Sequence, residues 1–320
     1  MRRRIVLAAT AGTVLAAGRP AQAARPDRQI RLIVPYGAGN VTDTVARLLA
    51  DGLSRRLGHS VVVENVPGAG GAIGVTNLAR APADGNTLVL AAMAALAVQP
   101  HLTPGGTGYD SLRDVTPVAA VAVPHAFLAV HRDLPARDLE GFVRHARANR
   151  VFYGSAGIGT LAHLNMEALG RALRFEAEHV PYRTSAANLT DLLAGRVQAT
   201  LEPVSITAEG VRSGALRALV YTGSARMPAF PDIPTLAEVA PAATVSSPWL
   251  AVFGPRELPS SVVERLASEI RAVVDTPAFR GVLPPGTEAL GDGPEALAGR
   301  LKADHARFGA LVSELGLRGG

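Results

Sequence analysis

Cysteine is absent from all 320 residues, which excludes disulfides, thiolate metal sites and cysteine nucleophiles and is compatible with an oxidising compartment. Lysine is nearly absent too, because Lys302 stands alone among 32 basic residues and the arginines are scattered. A nucleic-acid-binding face needs a basic stripe, usually interleaved with aromatics that stack on bases. Aromatics make up only 4% of the chain, so no nucleic-acid partner is expected. The glycine-rich turns lack the lysine that a phosphate-binding loop places before its serine or threonine. The apolar run from Ile5 to Ala17 is shorter than the roughly 20 residues of a membrane-spanning helix. No later stretch reaches that length without charge or proline, so no transmembrane segment is expected.

What is present begins with a leader. Arg2, Arg3 and Arg4 precede that apolar run, and Ala21-Gln22-Ala23 follows as a small-residue cleavage site. This is the layout of a secretory signal peptide over residues 1–23 and predicts a periplasmic protein starting near Ala24. The consecutive arginines also hint at twin-arginine export. Removing residues 1–23 takes away Arg2, Arg3, Arg4 and Arg19 and no acid, so the formal charge falls from +5 to +1. The basic character belongs largely to the leader.

The remaining chain exceeds the usual size of a single core, which predicts two lobes. Strand-like runs at Gln29–Val34, Ser60–Glu64, Thr87–Ala91, Val118–Val123 and Phe127–His131 alternate with helical patterns at Thr42–Leu57, Ala72–Ala81, Leu139–Asn149 and Leu161–Ala172. Further segments follow at Ala177–Pro181, Leu189–Ala194, Ala199–Leu201 and Ala218–Thr222. After a proline-rich break come a strand at Ser246–Gly254 and helices at Ser260–Val274 and Pro294–Leu315. The alternation predicts an α/β fold with mainly parallel sheets covered by helices.

Two glycine-rich turns share one grammar. Tyr36-Gly37-Ala38-Gly39-Asn40-Val41-Thr42-Asp43 and Ser155-Ala156-Gly157-Ile158-Gly159-Thr160 each join an apolar strand to an amphipathic helix. A helix start carries unpaired N–H groups and a partial positive charge, so two such starts placed face to face would hold an anion without lysine or arginine. Thr42 or Asp43 is the expected cap of the first helix and Thr160 of the second. Gly37-x-Gly39-x-x-Thr42, with Glu64 ending the next strand, also nearly matches a dinucleotide fingerprint, although a branched threonine replaces the third glycine. An NAD-dependent oxidoreductase is therefore an alternative reading. Tyr153 occupies the first glycine position of a nucleophile elbow, which makes a serine hydrolase a poor match. His163 and Glu167 sit four apart as metal ligands do, but no third ligand is suggested, so a capping or packing histidine is expected. A third cluster, Gly68-Ala69-Gly70-Gly71, reads as a tight entry into the next helix that braces the cleft floor.

These residues carry a resemblance. Arg31-Leu-Ile-Val-Pro-Tyr-Gly-Ala-Gly39, Glu64-Asn65-Val66-Pro67-Gly68-Ala69-Gly70-Gly71, Gly154-Ser155-Ala156-Gly157, His179-Val180-Pro181-Tyr182-Arg183, Asp191-Leu192-Leu193-Ala194-Gly195-Arg196-Val197 and Asp232-Ile233-Pro234-Thr235 are similar to the Bug family. These are the TctC-type extracytoplasmic receptors of tripartite tricarboxylate transporters, and the match covers nearly the whole mature chain. The resemblance implies a type II periplasmic-binding-protein fold with lobes at 26–123 plus 246–320 and at 124–245, joined by crossover strands. It implies a monomeric, non-enzymatic protein without cofactor or metal, which captures a small organic acid for a membrane permease. In that family, loops matching Tyr36–Asp43 and Ser155–Thr160 grip a carboxylate, largely through backbone N–H groups and bound waters. His163 and Tyr182 fall beside those motifs. The chain departs from the family at Asn40, which adds an amide to the pocket, at Thr184, and at Leu201-Glu202 in place of a common Phe-Asp pair. The longer acid of Glu202 could reach a ligand amine or a cation. A receptor that signals without transporting is a further alternative.

Overall fold

The computed structural model describes residues 29–317, apart from positions 104, 244 and 247. The leader expected over residues 1–23 lies outside the described residues. The chain begins with β1 (Ile30–Val34), α1 (Val41–Leu57), β2 (Val61–Asn65), α2 (Ala72–Ala79) and β3 (Thr87–Ala92). A π-helical turn over Ala94–Val98 runs into α3 (Gln99–Leu102), and β4 (Val115–Pro124) follows. Past His125 come β5 (Ala126–His131), α4 (Leu139–Ala148), β6 (Phe152–Ser155), α5 (Leu161–Leu173), β7 (Glu178–Pro181), α6 (Ser185–Leu193), β8 (Ala199–Pro203), α7 (Val204–Arg212), β9 (Leu216–Tyr221) and α8 (Leu236–Val239). The chain ends with β10 (Leu250–Pro255), α9 (Ser260–Val274), α10 (Pro277–Arg280), β11 (Thr287–Ala289) and α11 (Pro294–Glu314).

Among the described residues these strands form two sheets, ordered β11-β4-β10-β3-β1-β2 and β7-β6-β8-β5-β9. The parallel character expected from the alternation is confined to β3-β1-β2 and β7-β6-β8. Where the chain passes between the sheets it runs antiparallel: β10 against β3 and β4, and β5 against β8 and β9. Both sheets are therefore mixed, because the strands that carry the crossings are joined by no local helical return.

Burial explains which sequence patterns were readable. Strands β3, β4 and β10 lie between two apolar layers, one formed with α1 and α9 and the other with α2 and α11. They read as continuous apolar runs for that reason, and each fully buried aliphatic side chain contributes about 1.5–3 kcal/mol. Trp249 is fully buried, and its Nε1 donates to Asp304 Oδ2 on α11 at 2.8 Å. Helix α7 escapes a sequence reading because Val204, Ile206 and Thr207 are β-branched, a composition that favours strands locally.

Close packing also sets a glycine requirement on α2. A Cβ on Gly74 would lie 2.7 Å from Pro35 Cβ and 2.9 Å from Pro35 Cα, immediately before the first glycine-rich turn. In contrast, a Cβ on Gly299 of α11 would meet nothing within 4 Å. Gly74→Ala is expected to destabilise the protein by about 1–3 kcal/mol through overpacking. Gly299→Ala is expected to stabilise it by up to about 1 kcal/mol through helix propensity. Urea unfolding of both variants checks the contrast.

Candidate functional site

The first turn leaves β1 at Pro35 and enters α1 through exposed residues 37–40, with Gly39 at φ +84°. Asn40, rather than Thr42 or Asp43, caps α1. Its Oδ1 accepts the Asp43 N–H at 2.9 Å, and its Nδ2 donates to the Gly37 carbonyl at 2.7 Å. Both ends of that amide thus serve the loop itself, while Thr42 is buried beneath it. Asp43, only 3% exposed, accepts the Gly39 N–H at 2.9 Å, Arg47 Nε at 3.0 Å and Asn65 Nδ2 at 2.9 Å. Burial pushes the Asp43 carboxyl up, but Arg47, the Gly39 N–H and Asn65 outweigh it and hold the group below its ordinary range. The Asn65 amide also donates to the Tyr36 carbonyl at 3.1 Å. Among the described residues the Gly37 and Ala38 N–H groups, in the exposed part of the turn, and those of Asn40, Val41 and Thr42 at the head of α1 have no acceptor. Glu64, the acid a dinucleotide reading needs for a ribose, has both oxygens engaged by Arg31.

The second turn is engaged more heavily by its own neighbours. Gly157 and Gly159 adopt φ +133° and +75°. Ser155 Oγ, fully buried, accepts the Gly157 N–H at 3.1 Å and lies 2.6 Å from His179 Nε2. The Gly159 N–H donates to His163 Nδ1 at 3.0 Å, so His163 caps the turn from inside α5. Thr160 sends its hydroxyl backward to the Gly157 carbonyl at 2.7 Å and makes no side-chain cap. His179 is stacked between His163 at 4.0 Å and Tyr153 at 5.0 Å. Burial lowers both imidazoles, and with the adjacent His163 it takes His179 down to about 4, so the stack is neutral at pH 7. Glu167 accepts the Tyr153 hydroxyl at 2.6 Å, and no cluster of three metal-ligating side chains occurs among the described residues.

Glu202, at the end of β8, is 3% exposed and turned inward rather than toward an outside amine. Its carboxylate meets Ser185 Oγ at 2.9 Å, Asn188 Nδ2 at 3.3 Å and the Ala156 N–H. Burial raises its pKa despite those three donors. Tyr182 gives its hydroxyl to Asp191 at 2.8 Å, and burial followed by that carboxylate pushes it up to about 12. The N–H groups of Ala156, Gly157 and Gly159 are thus engaged internally, whereas that of Ile158, a residue 60% exposed, has no acceptor among the described residues.

A segment that the sequence reading passed over links the two turns. Residues Ala94–Leu102 share one apolar cluster with Tyr36, Leu161 and Leu164. A Cβ on Gly71 would stand 2.9 Å from Ala95, one on Gly70 would stand 2.2 Å from Gln99, and one on Gly159 would stand 2.1 Å from Leu102. The third glycine cluster and the second turn both close onto this wall. The supporting residues His179, Ser185 and Asn188 were also missed, since their sequence spacing from the loops carries no signal.

Asp43 gives a stability test with a definite sign. A carboxyl held low in the folded state stabilises fully above its unfolded pKa and loses that contribution as pH falls through the folded pKa. Asp43→Asn is expected to cost about 1–3 kcal/mol at neutral pH, with the gap to the parent closing below pH of about 3.9. Denaturant unfolding at neutral and acidic pH measures it.

The described helices include none long and apolar enough to cross a membrane. The model of the tripartite tricarboxylate transporter family receptor matches residues 45–317. BugT of Bordetella pertussis is 34% identical over 302 residues, covering 92% of this chain and 91% of that protein. The periplasmic binding protein BugD is similar in structure, with TM-score 0.76 and 31% identity over 92% of this chain and 99% of that one. An R. palustris protein solved with adipate has TM-score 0.79 and 31% identity over 91% and 98% of the two chains. MatC from Rhodopseudomonas palustris, solved with malate, has TM-score 0.73 and 28% identity over 90% and 99%. The chain belongs to the tripartite tricarboxylate transporter receptor family, the TctC or Bug family of periplasmic solute-binding proteins.

Proposed function

We propose that this protein captures a small carboxylate-bearing metabolite in a periplasmic cleft and hands it to a permease of the tripartite tricarboxylate type. The cleft lies between a lobe of residues 26–123 plus 246–320 and a lobe of 124–245. One observation carries this reading: among the described residues the N–H groups of Asn40, Val41 and Thr42 at the head of α1, and of Gly37, Ala38 and Ile158 in the two turns, have no protein acceptor, and one apolar wall ties both heads together. Helix starts favour negative charge. Hydrogen bonds to a charged group contribute about 1.5–3 kcal/mol each, so several with water-mediated partners reach the roughly 8 kcal/mol of micromolar binding. The relatives solved with adipate and malate make dicarboxylates the first candidates.

The surroundings of the Ser155–His179 contact support binding rather than catalysis. It resembles a nucleophile and base, yet Ser155 is fully buried and its oxygen already receives the Gly157 N–H. A nucleophile needs access to its substrate and an oriented base. No acid holds the other nitrogen of His179 among the described hydrogen bonds.

A melting-temperature screen with adipate, malate, other mono-, di- and tricarboxylates and amino acids tests the proposal. At a hundredfold excess over Kd a bound acid adds about 2.7 kcal/mol of stability, a rise of roughly 4 °C for a chain of this size. Ala38→Pro and Ile158→Pro each delete one N–H that has no protein acceptor, at an exposed position, and are expected to reduce that rise while the unliganded protein still melts cooperatively. If no acid in the panel moves the melting temperature, the reading is wrong.

A further inference from the structure

The second turn is backed by a buried acid of its own, Glu202. We propose that Glu202 makes carboxylate capture proton-coupled: a carboxylate arriving at the Ser155–Thr160 turn drives a proton from solvent onto the Glu202 carboxylate. This rests on the proposed carboxylate capture. The geometry behind it is the register of β8 on β6: Gly154 stands beside Thr200, so two residues further on the buried Glu202 carboxylate reaches the Ala156 N–H of the turn. The guest and Glu202 therefore address one short stretch of backbone. Two negative charges sharing one site disfavour each other's ionised forms.

The surroundings of Glu202 contain nothing to absorb that repulsion. From α6 it meets Ser185 Oγ and Asn188 Nδ2, and from the turn the Ala156 N–H. On its own strand Thr200 binds Asn188 and the Gly154 carbonyl, and on β5 the register partner is Phe127. The nearby titratable groups are His179, reached through Ser155, and His163 stacked on it, and both are neutral. Tyr182 keeps its proton on Asp191. No cation pairs with Glu202 among the described residues. Burial already moves this carboxyl toward its neutral form, in the same direction as the guest's charge would. The balance is one proton taken from buffer per guest bound, with no covalent change.

Reciprocity fixes the signs. If the guest raises the affinity of Glu202 for a proton, acid raises the affinity of the protein for the guest. Between the unliganded and liganded titration points of Glu202, affinity should fall by up to about tenfold per pH unit. Titration calorimetry with adipate and with malate, in buffers of different ionisation enthalpy from about pH 5 to about pH 8, reads both the proton count and the affinity. The wild type is expected to take up a proton, at most one per guest. Glu202→Gln should bind with no uptake and a flat pH profile. Ser185→Ala, which removes one donor to the ionised carboxylate, should move the coupling window to higher pH.

Binding without proton exchange in the wild type would overturn the proposal, as would uptake that survives in Glu202→Gln, which would assign it to the histidines. A pH profile unmoved by Ser185→Ala would overturn it as well. Absence of all binding by both acids would instead sink the carboxylate reading on which the proposal stands, so the two failures are distinguishable.

Discussion

A strand-to-helix turn carries backbone N–H groups that the helix itself cannot reach, and this protein takes up part of them with its own side chains and leaves the rest open. In the first turn Asn40 and Asp43 take the N–H groups of Asp43 and Gly39. In the second turn Glu202, Ser155 and His163 take those of Ala156, Gly157 and Gly159. Internal bonding holds each loop in one shape and leaves other donors, those of Gly37, Ala38 and Ile158 among them, without a protein acceptor among the described residues. A loop with all its donors open would have to order itself when a guest arrives, at an entropic cost that this arrangement has already met in folding.

Asp43 and Glu202 show how the surroundings decide the role of the same chemical group. Both are buried to the same degree, and both accept backbone N–H groups from a glycine-rich turn. Asp43 has Arg47 on its rim, so its ionised form is favoured and it acts as a permanent brace. Glu202 has only neutral donors, so burial wins and its charge becomes adjustable. The neutral His163–His179–Tyr153 stack adds no positive charge to the second turn. In the proposed receptor, one wall of the cleft is electrostatically constant and the other responds to what it binds.

The apolar segment Ala94–Leu102 is where two loops far apart in sequence meet a common wall. It packs against Tyr36 and Gly71 on one side and against Gly159 and Leu164 on the other. The glycines at 70, 71 and 159 are small because that wall stands where their side chains would be, in addition to their positive φ angles. Shortening or enlarging residues on this wall changes the relation between the loops without touching either one.

Local chemistry made much of the architecture legible before any coordinates. Period-two and period-3.6 patterns marked β1, α1, β3, α5, α9 and α11 to within a few residues, because each buries one defined face. The glycine-rich turns and the family resemblance located both loops. Composition ruled out thiol chemistry, and patterning gave the α/β class. The tertiary structure alone decided that Glu202 takes the Ala156 N–H and that His179 reaches Ser155, since those partners meet by position in space and not by spacing along the chain. It also decided that β4, β5 and β10 run antiparallel to their neighbours, and that Ala94–Leu102 joins the loops. Such outcomes depend on contacts between segments a hundred residues apart, and burial and charge at those contacts are fixed only when the sheets pack.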